Sequence, residues 1–148
     1  MTENDKIEIL FIEDNHYEAE LTIRILKKHH LSNNLKHIAD GAEALDFIFS
    51  RGNFSGRLDS SKPKLILLDL KLPKVDGLEI LRQLRINEET KMIPVVILTS
   101  SKEDNDVIES YKLGVNSYIV KPVNFESFSK AIADLGLYWL LLNHNPYS

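Results

Sequence analysis

Short apolar runs alternate with helical periodicities along nearly the whole chain. Residues 7–12, with Ile7, Ile9, Leu10, Phe11 and Ile12, read as a first strand. Residues 15–30 follow as a helix that carries Leu21, Ile25 and Leu26 on one face. A second, weaker strand covers residues 35–39, and Asp40 then caps a helix that turns Ala44, Leu45, Ile48 and Phe49 inward. The third strand, residues 65–68, is apolar throughout, as a strand buried on both faces should be. A helix from Leu78 carries the stripe Ile80, Leu81 and Leu84. Pro94 opens the fourth strand, residues 95–98, and a helix bearing Val107, Ile108 and Tyr111 comes next. Residues 117–120 make the fifth strand, and a long C-terminal helix is expected from about Phe125 to Leu142.

Strands alternating with helices imply an α/β fold with a parallel sheet covered by helices on both faces. No linker or shift in composition divides the 148 residues, so a single domain is expected, with its core at about 7–142. The chain ends soon after its fifth helix, so no output domain is expected. Residues 52–63, rich in Ser and Gly, exceed the roughly 4–6-residue median for connections and read as an exposed loop.

Composition narrows the class. An apolar share of 43% suits a globular chain. The net charge of −4 gives no basic footprint for direct nucleic-acid binding. With no cysteine, disulfides, thiolate catalysis and Cys-ligated zinc are excluded. The polar, acidic start is unlike a signal peptide, and the most apolar stretch, Leu135 to Leu142, is far short of the ~20 residues a membrane span needs. A cytoplasmic protein that avoids the membrane is expected. His29 and His30 are adjacent and so do not share a helix face; they suit a helix C-terminus, and His16 reads as an exposed loop residue.

The chemistry-bearing residues fall at strand ends. In an open parallel sheet, ligands bind beyond the carboxyl ends of the strands. Glu13 and Asp14 follow strand one, Asp69 ends strand three, Thr99 ends strand four and Lys121 ends strand five. Strand two offers nothing reactive. Carboxylates crowded into one crevice repel each other, and a hard divalent cation such as Mg²⁺ relieves this with oxygen ligands. Lys121 and the Thr99 hydroxyl could then hold phosphoryl oxygens on a covalent acyl phosphate at Asp69. Taken singly, Asp14 or Asn15 serves as well as a helix cap, Lys121 with Pro122 as a turn, and Thr99 as a loop cap. Five matching positions on four strand ends leave those readings little room.

These residues resemble the receiver domains of two-component response regulators over almost the full length. The resemblance rests on residues 10–14 ending in Glu13 and Asp14, residues 67–73 around Asp69 with Asp76 and Gly77, residues 96–100 around Thr99, and residues 118–122 around Lys121. It implies the flavodoxin-like, doubly wound five-stranded sheet in the order 2-1-3-4-5. It implies Asp69 as the phosphoacceptor for a sensor histidine kinase, with Mg²⁺ held by Asp14, Asp69, Glu13 through water, and the backbone carbonyl of Lys71. Thr99 and Lys121 would bind the phosphoryl group, and Tyr118 stands at the switch aromatic's position. The bond between Lys121 and Pro122 is usually cis in such domains. The acidic pair is Glu-Asp rather than Asp-Asp, and Lys71 and Ser101 stand where the family tunes acyl-phosphate hydrolysis. The loop before strand three and the apolar C-terminal end further resemble single-domain receivers that partner phytochrome-type kinases. Such a protein catalyses only its own phosphorylation and dephosphorylation, and passes its signal to a downstream protein the sequence does not name.

Other functions fit less well. A phosphohydrolase of the haloacid-dehalogenase type needs a second aspartate two residues after its nucleophile, where this chain has Lys71, and its nucleophile usually follows the first strand. A flavin or nucleotide binder needs a phosphate loop at a helix N-terminus, where this chain has Glu13 and Asp14. A binding module that has lost phosphorylation would not need the full set of acceptor, acidic pair, hydroxyl and lysine.

The C-terminal helix adds one expectation. Phe125, Phe128, Ile132, Leu135, Trp139 and Leu142 form one apolar stripe, which seats the helix on the sheet. Beyond Gly136, Leu137, Tyr138, Leu140 and Leu141 make the other faces apolar too. A helix apolar all round is normally buried all round, so a homodimer through this helix is expected.

Overall fold

The computed structural model describes residues 8–28, 34–56, 62–100, 104–121 and 124–134. Five strands, β1 (Ile9–Ile12), β2 (Leu35–Ile38), β3 (Leu65–Leu68), β4 (Val95–Thr99) and β5 (Ser117–Val120), alternate with five helices. The helices are α1 (His16–Lys28), α2 (Gly41–Ile48), α3 (Gly77–Ile86), α4 (Asp104–Lys112) and α5 (Phe125–Asp134). All pairings are parallel, and the sheet order is β2-β1-β3-β4-β5. The chain therefore runs outward from β1 in two directions, and the order reverses between β1 and β3.

Alternation along the central strands builds two cores. Leu10, Ile12, Ile66, Leu68, Val95 and Ile97 pack on one face with α2 and α3. Ile9, Phe11, Leu65, Leu67, Val96 and Leu98 pack on the other with α1 and α5, where Phe128 is fully buried. A strand covered on both faces reads as an unbroken apolar run, which is why these three were plain in the sequence.

Two helical stripes differ from expectation. In α1 the sheet is met by Ala19, Thr22 and Leu26, while Leu21 is 40% exposed. The buried positions on α1 are thus two small side chains and one large one, and Leu21 is turned aside. In α4, Ile108 and Tyr111 are exposed, while Asp106 and Ser110 face inward. Both buried polar groups are satisfied: Asp106 pairs with Lys71 at 3.1 Å, and the Ser110 hydroxyl donates to the Asp106 carbonyl at 2.7 Å.

Caps and close approaches fix the helices near the strand ends. Asp40 accepts from the amides of Ala42 and Glu43 and caps α2. Asp76 accepts from the Leu78 amide and caps α3. At Gly77 a Cβ would come within 2.4 Å of the Asp69 carbonyl oxygen and 2.6 Å of the Leu70 Cα, so only glycine lets α3 start against this backbone. The segment expected as an exposed loop opens with a tight helical turn, Gly52–Phe54, anchored by Phe54 standing edge-on to Phe47. Its residues 57–61 lie outside the described residues, as do Ile7, His29, His30, Ser101, Pro122 and the helix expected beyond Asp134. Among the described residues no helix is long and apolar enough to cross a membrane.

Candidate functional site

The sheet's hydrogen bonding continues one residue past the strand ends and sets the site's side chains. The Glu13 amide donates to the Ile38 carbonyl at 3.1 Å, and the Asp69 amide to the Ile12 carbonyl at 3.0 Å. The Lys121 amide donates to the Thr99 carbonyl at 2.8 Å. Four strand ends thus hold Glu13, Asp69, Thr99 and Lys121 with little backbone freedom. Glu13, Asp69 and Thr99 are buried, and Asp14 is half-buried.

Carboxylate oxygens of Glu13, Asp14 and Asp69 lie within 4.8 Å of one another. Asn15, not Asp14, caps α1: its side chain accepts from the Glu18 amide at 3.0 Å and its carbonyl from the Ala19 amide. Asp14 is therefore left to the cluster. The Lys121 ammonium sits among the acids, 3.1 Å from Asp69 Oδ2, 2.8 Å from Glu18 Oε2, and in hydrogen-bond contact with Glu13 Oε1. Asp69 Oδ1 accepts from the Lys71 amide at 3.1 Å, and the Thr99 hydroxyl also bonds the Asp69 carboxylate. The Lys71 side chain points instead to Asp106.

These contacts split the two buried acids. Burial is the largest influence on Glu13 and pushes its carboxyl up to about 7; Asp69 beside it adds to the rise, and Lys121 opposes it. Burial also works against ionised Asp69, but bonds from Glu13, the Lys71 amide and Thr99, with the Lys121 charge, hold it below the usual carboxylate range. Lys121 is likewise disfavoured as a cation by burial, and its carboxylate partners more than reverse this. Two buried carboxylates this close repel each other when both are ionised. That donor set fits a hard divalent cation, which takes oxygen ligands and relieves the same repulsion.

Tyr118 is half-buried and packs against the core on the α3 side. It pairs with Ile97 across the sheet, and strand alternation puts Thr99 on the same face as Ile97, so Tyr118 and Thr99 are diagonal neighbours. Glu13, Asp14, Asp69, Thr99 and Lys121 lie at the carboxyl ends of the strands, and Tyr118 stands two residues further back on β5 than Val120.

Two residues near the site escape a reading of the sequence. Glu18 looks like an ordinary acid in the first turn of a helix, where it complements the dipole. Its bond to Lys121, more than a hundred residues away, leaves no local signal. His37 lies on β2, the strand expected to offer nothing reactive. Its Nε2 is 2.7 Å from the Glu13 carbonyl, and its ring packs on Phe11 and meets His16 edge-on.

Residues 9–133 match the family described as response regulator receiver domain. The chain belongs to that receiver family. It is 39% identical over 132 residues to the response regulator Rcp1 of Synechocystis sp., covering 89% of this chain and 88% of Rcp1. Among solved structures it is similar to the bacteriophytochrome response regulator RtBRR, at 50% identity and a TM-score of 0.83, covering 95% of this chain and 84% of that one. It is also similar to a structure described as the Mn(2+)-bound form of Rcp1, at 36% identity and a TM-score of 0.74, covering 95% and 99%. The flavodoxin-like sheet order is that of these receivers. The protein is a phosphoacceptor response regulator of two-component signalling, and response regulators of bacteriophytochromes are among its relatives.

Proposed function

We propose that Asp69 is the residue that accepts the phosphoryl group. The observation that carries this is a buried carboxylate at the end of the central strand, bonded at once by Lys121, Thr99 and the Lys71 amide. An Asp69 oxygen attacks phosphorus in line as the bond from phosphorus to the donor histidine nitrogen breaks, giving an acyl phosphate and a free imidazole. Lys121 and the Thr99 hydroxyl then hold phosphoryl oxygens and offset their charge. Glu13, Asp14 and Asp69, with the Lys71 carbonyl, would hold Mg²⁺, which supplies positive charge beside the transferring group.

Thr99 leaves the Asp69 carboxylate to bond the phosphoryl group, and Tyr118, its diagonal neighbour, follows on the same face. The protein is thus a switch and not an enzyme for outside substrates. A phytochrome-type histidine kinase in the cytoplasm is the donor this reading favours, supported by the phytochrome-associated relatives. Output passes to a downstream protein. The homodimer through the C-terminal helix rests on the sequence pattern of residues 137–142, which lie outside the described residues.

Acetyl phosphate with Mg²⁺ tests the assignment. The unmutated protein should gain one acid-labile phosphoryl group by intact mass, and chelation should abolish the gain. Asp69→Asn should gain none. Equal labelling of Asp69→Asn would sink the site.

A further inference from the structure

Lys121 is more heavily occupied than a phosphoryl-binding lysine needs to be. An ammonium has three N–H donors. Here Glu13, Asp69 and Glu18 each accept from it, so none is left over for a phosphoryl oxygen. The arriving phosphoryl group therefore meets a lysine that carboxylates already occupy.

Exposure and chemistry single out the carboxylate that can give way. The side chains of Glu13 and Asp69 are 1% and 6% exposed, whereas Glu18 is 39% exposed. Releasing a buried carboxylate leaves an uncompensated charge, while a half-exposed one passes into water at small cost. Asp69 becomes a neutral acyl group once phosphorylated, and Glu13 belongs to the cation cluster. Glu18 therefore remains as the phosphoryl group's competitor for Lys121. Both residues line an open cavity of about 610 Å³ beside α1, with Tyr17, Leu21 and Ser100, so the freed carboxylate has room to swing.

We propose that Glu18 is a positioning residue of the phosphoryl site: it holds Lys121 in the resting state and gives it up on phosphorylation. Its charge weakens the site's grip on the phosphoryl group, and its release carries the phosphorylation state to the first turn of α1. This rests on the phosphoacceptor reading above.

Fluoroberyllate, a tetrahedral anion that mimics the phosphoryl group on a carboxylate, tests it by titration at saturating Mg²⁺. Glu18→Gln keeps an oxygen that can accept from Lys121 but removes the charge. It should bind fluoroberyllate roughly 5-fold tighter, the upper end of what a half-exposed ion pair contributes. Glu20→Gln changes the same charge on the same helix, but Glu20 pairs with Arg24 at 2.7 Å and not with Lys121. It should leave the affinity unchanged. In the unmutated protein the Glu18 carboxyl ¹³C resonance, assigned by its loss in Glu18→Gln, should move when fluoroberyllate is added. If the unmutated protein binds no fluoroberyllate, the phosphoacceptor reading fails and this inference goes with it. If it binds, then an unchanged or weakened Glu18→Gln, an equal gain in Glu20→Gln, or an unmoved Glu18 resonance overturns the role of Glu18 alone.

Discussion

Lys121 and Arg85 are long cations drawn out of water at opposite ends of the sheet, and their partners differ in kind. Arg85, at the end of α3, donates to four backbone carbonyls: Leu113 at 2.8 Å, Ile93 at 2.9 Å, and Lys91 and Gly114 at 3.1 Å. Those acceptors are neutral and fixed, so they tie the entries of β4 and β5 together and have no other state to adopt. Lys121 instead meets three carboxylates that can protonate, bind a cation or rotate away. The electrostatics record the difference. Burial lowers Arg85 from its usual value, while the acids around Lys121 reverse the effect of burial. A half-buried cation held by backbone is a staple; one held by side-chain charges can be exchanged.

The contrast breaks most visibly at Lys121. Lys121→Met should slow phosphorylation by acetyl phosphate about 100-fold, the scale for losing one preorganised charge at a transferring group. The same variant should bind divalent cations more tightly, because Glu13 and Asp69, both in the cation cluster, lose the ammonium that competes for them. Stopped-flow fluorescence or intact mass gives the rate, and calorimetry the affinity. A loss of less than about 10-fold would make Lys121 structural, like Arg85, since oxyanion-type contacts are worth more.

Arg85→Met should do the reverse. Four charge-assisted contacts are lost but the carbonyls lie near the surface, so the cost is about 2 kcal/mol, measured by urea unfolding. Phosphorylation should proceed at the unmutated rate. A normal stability with slowed phosphorylation would erase the distinction between the two ends.

The same difference explains what could be read from the sequence. β1, β3 and β4 were legible because burial on both faces leaves unbroken apolar runs, and the acids and lysine just past those runs marked the site. The turn containing Asp76 and Gly77 was legible as a motif, and the closeness of Gly77 to the Asp69 backbone gives its physical reason. The rest was hidden because it depends on partners distant in sequence. Leu21 lies exposed while Ala19, Thr22 and Leu26 meet the sheet, a rotation of α1 that its hydrophobic pattern alone does not give. Ile108 and Tyr111 lose theirs to Asp106 and Ser110 because Lys71 and a backbone carbonyl satisfy the polar pair. Glu18 and Arg85 are ordinary helix residues until the fold brings their acceptors to them.

Asp40 sharpens the comparison with the smallest effect. Its carboxylate accepts from the amides of Ala42 and Glu43, at 2.7 and 3.1 Å, so like Arg85 it is held by fixed backbone groups. Its side chain is 37% exposed, and there screening by water reduces what the charge is worth. The Glu43 amide is the main cause of its lowered pKa, against slight burial, with the Ala42 amide and Lys74 assisting. Because the folded pKa lies below the unfolded one, the charged cap stabilises the fold above the ordinary carboxylate range. That contribution fades as pH falls through the unfolded and then the folded value. Asp40→Ala should cost about 1 kcal/mol at neutral pH, as caps do, and progressively less as the pH is lowered. Asp40→Asn should keep most of the stability and lose this pH dependence, because its amide oxygen still accepts from the same N–H groups. Urea unfolding from pH 7 down to pH 3, with Asp40→Ala and Asp40→Asn beside the unmutated protein, measures both. A gap between the unmutated protein and Asp40→Ala that widened on acidification would contradict the sign.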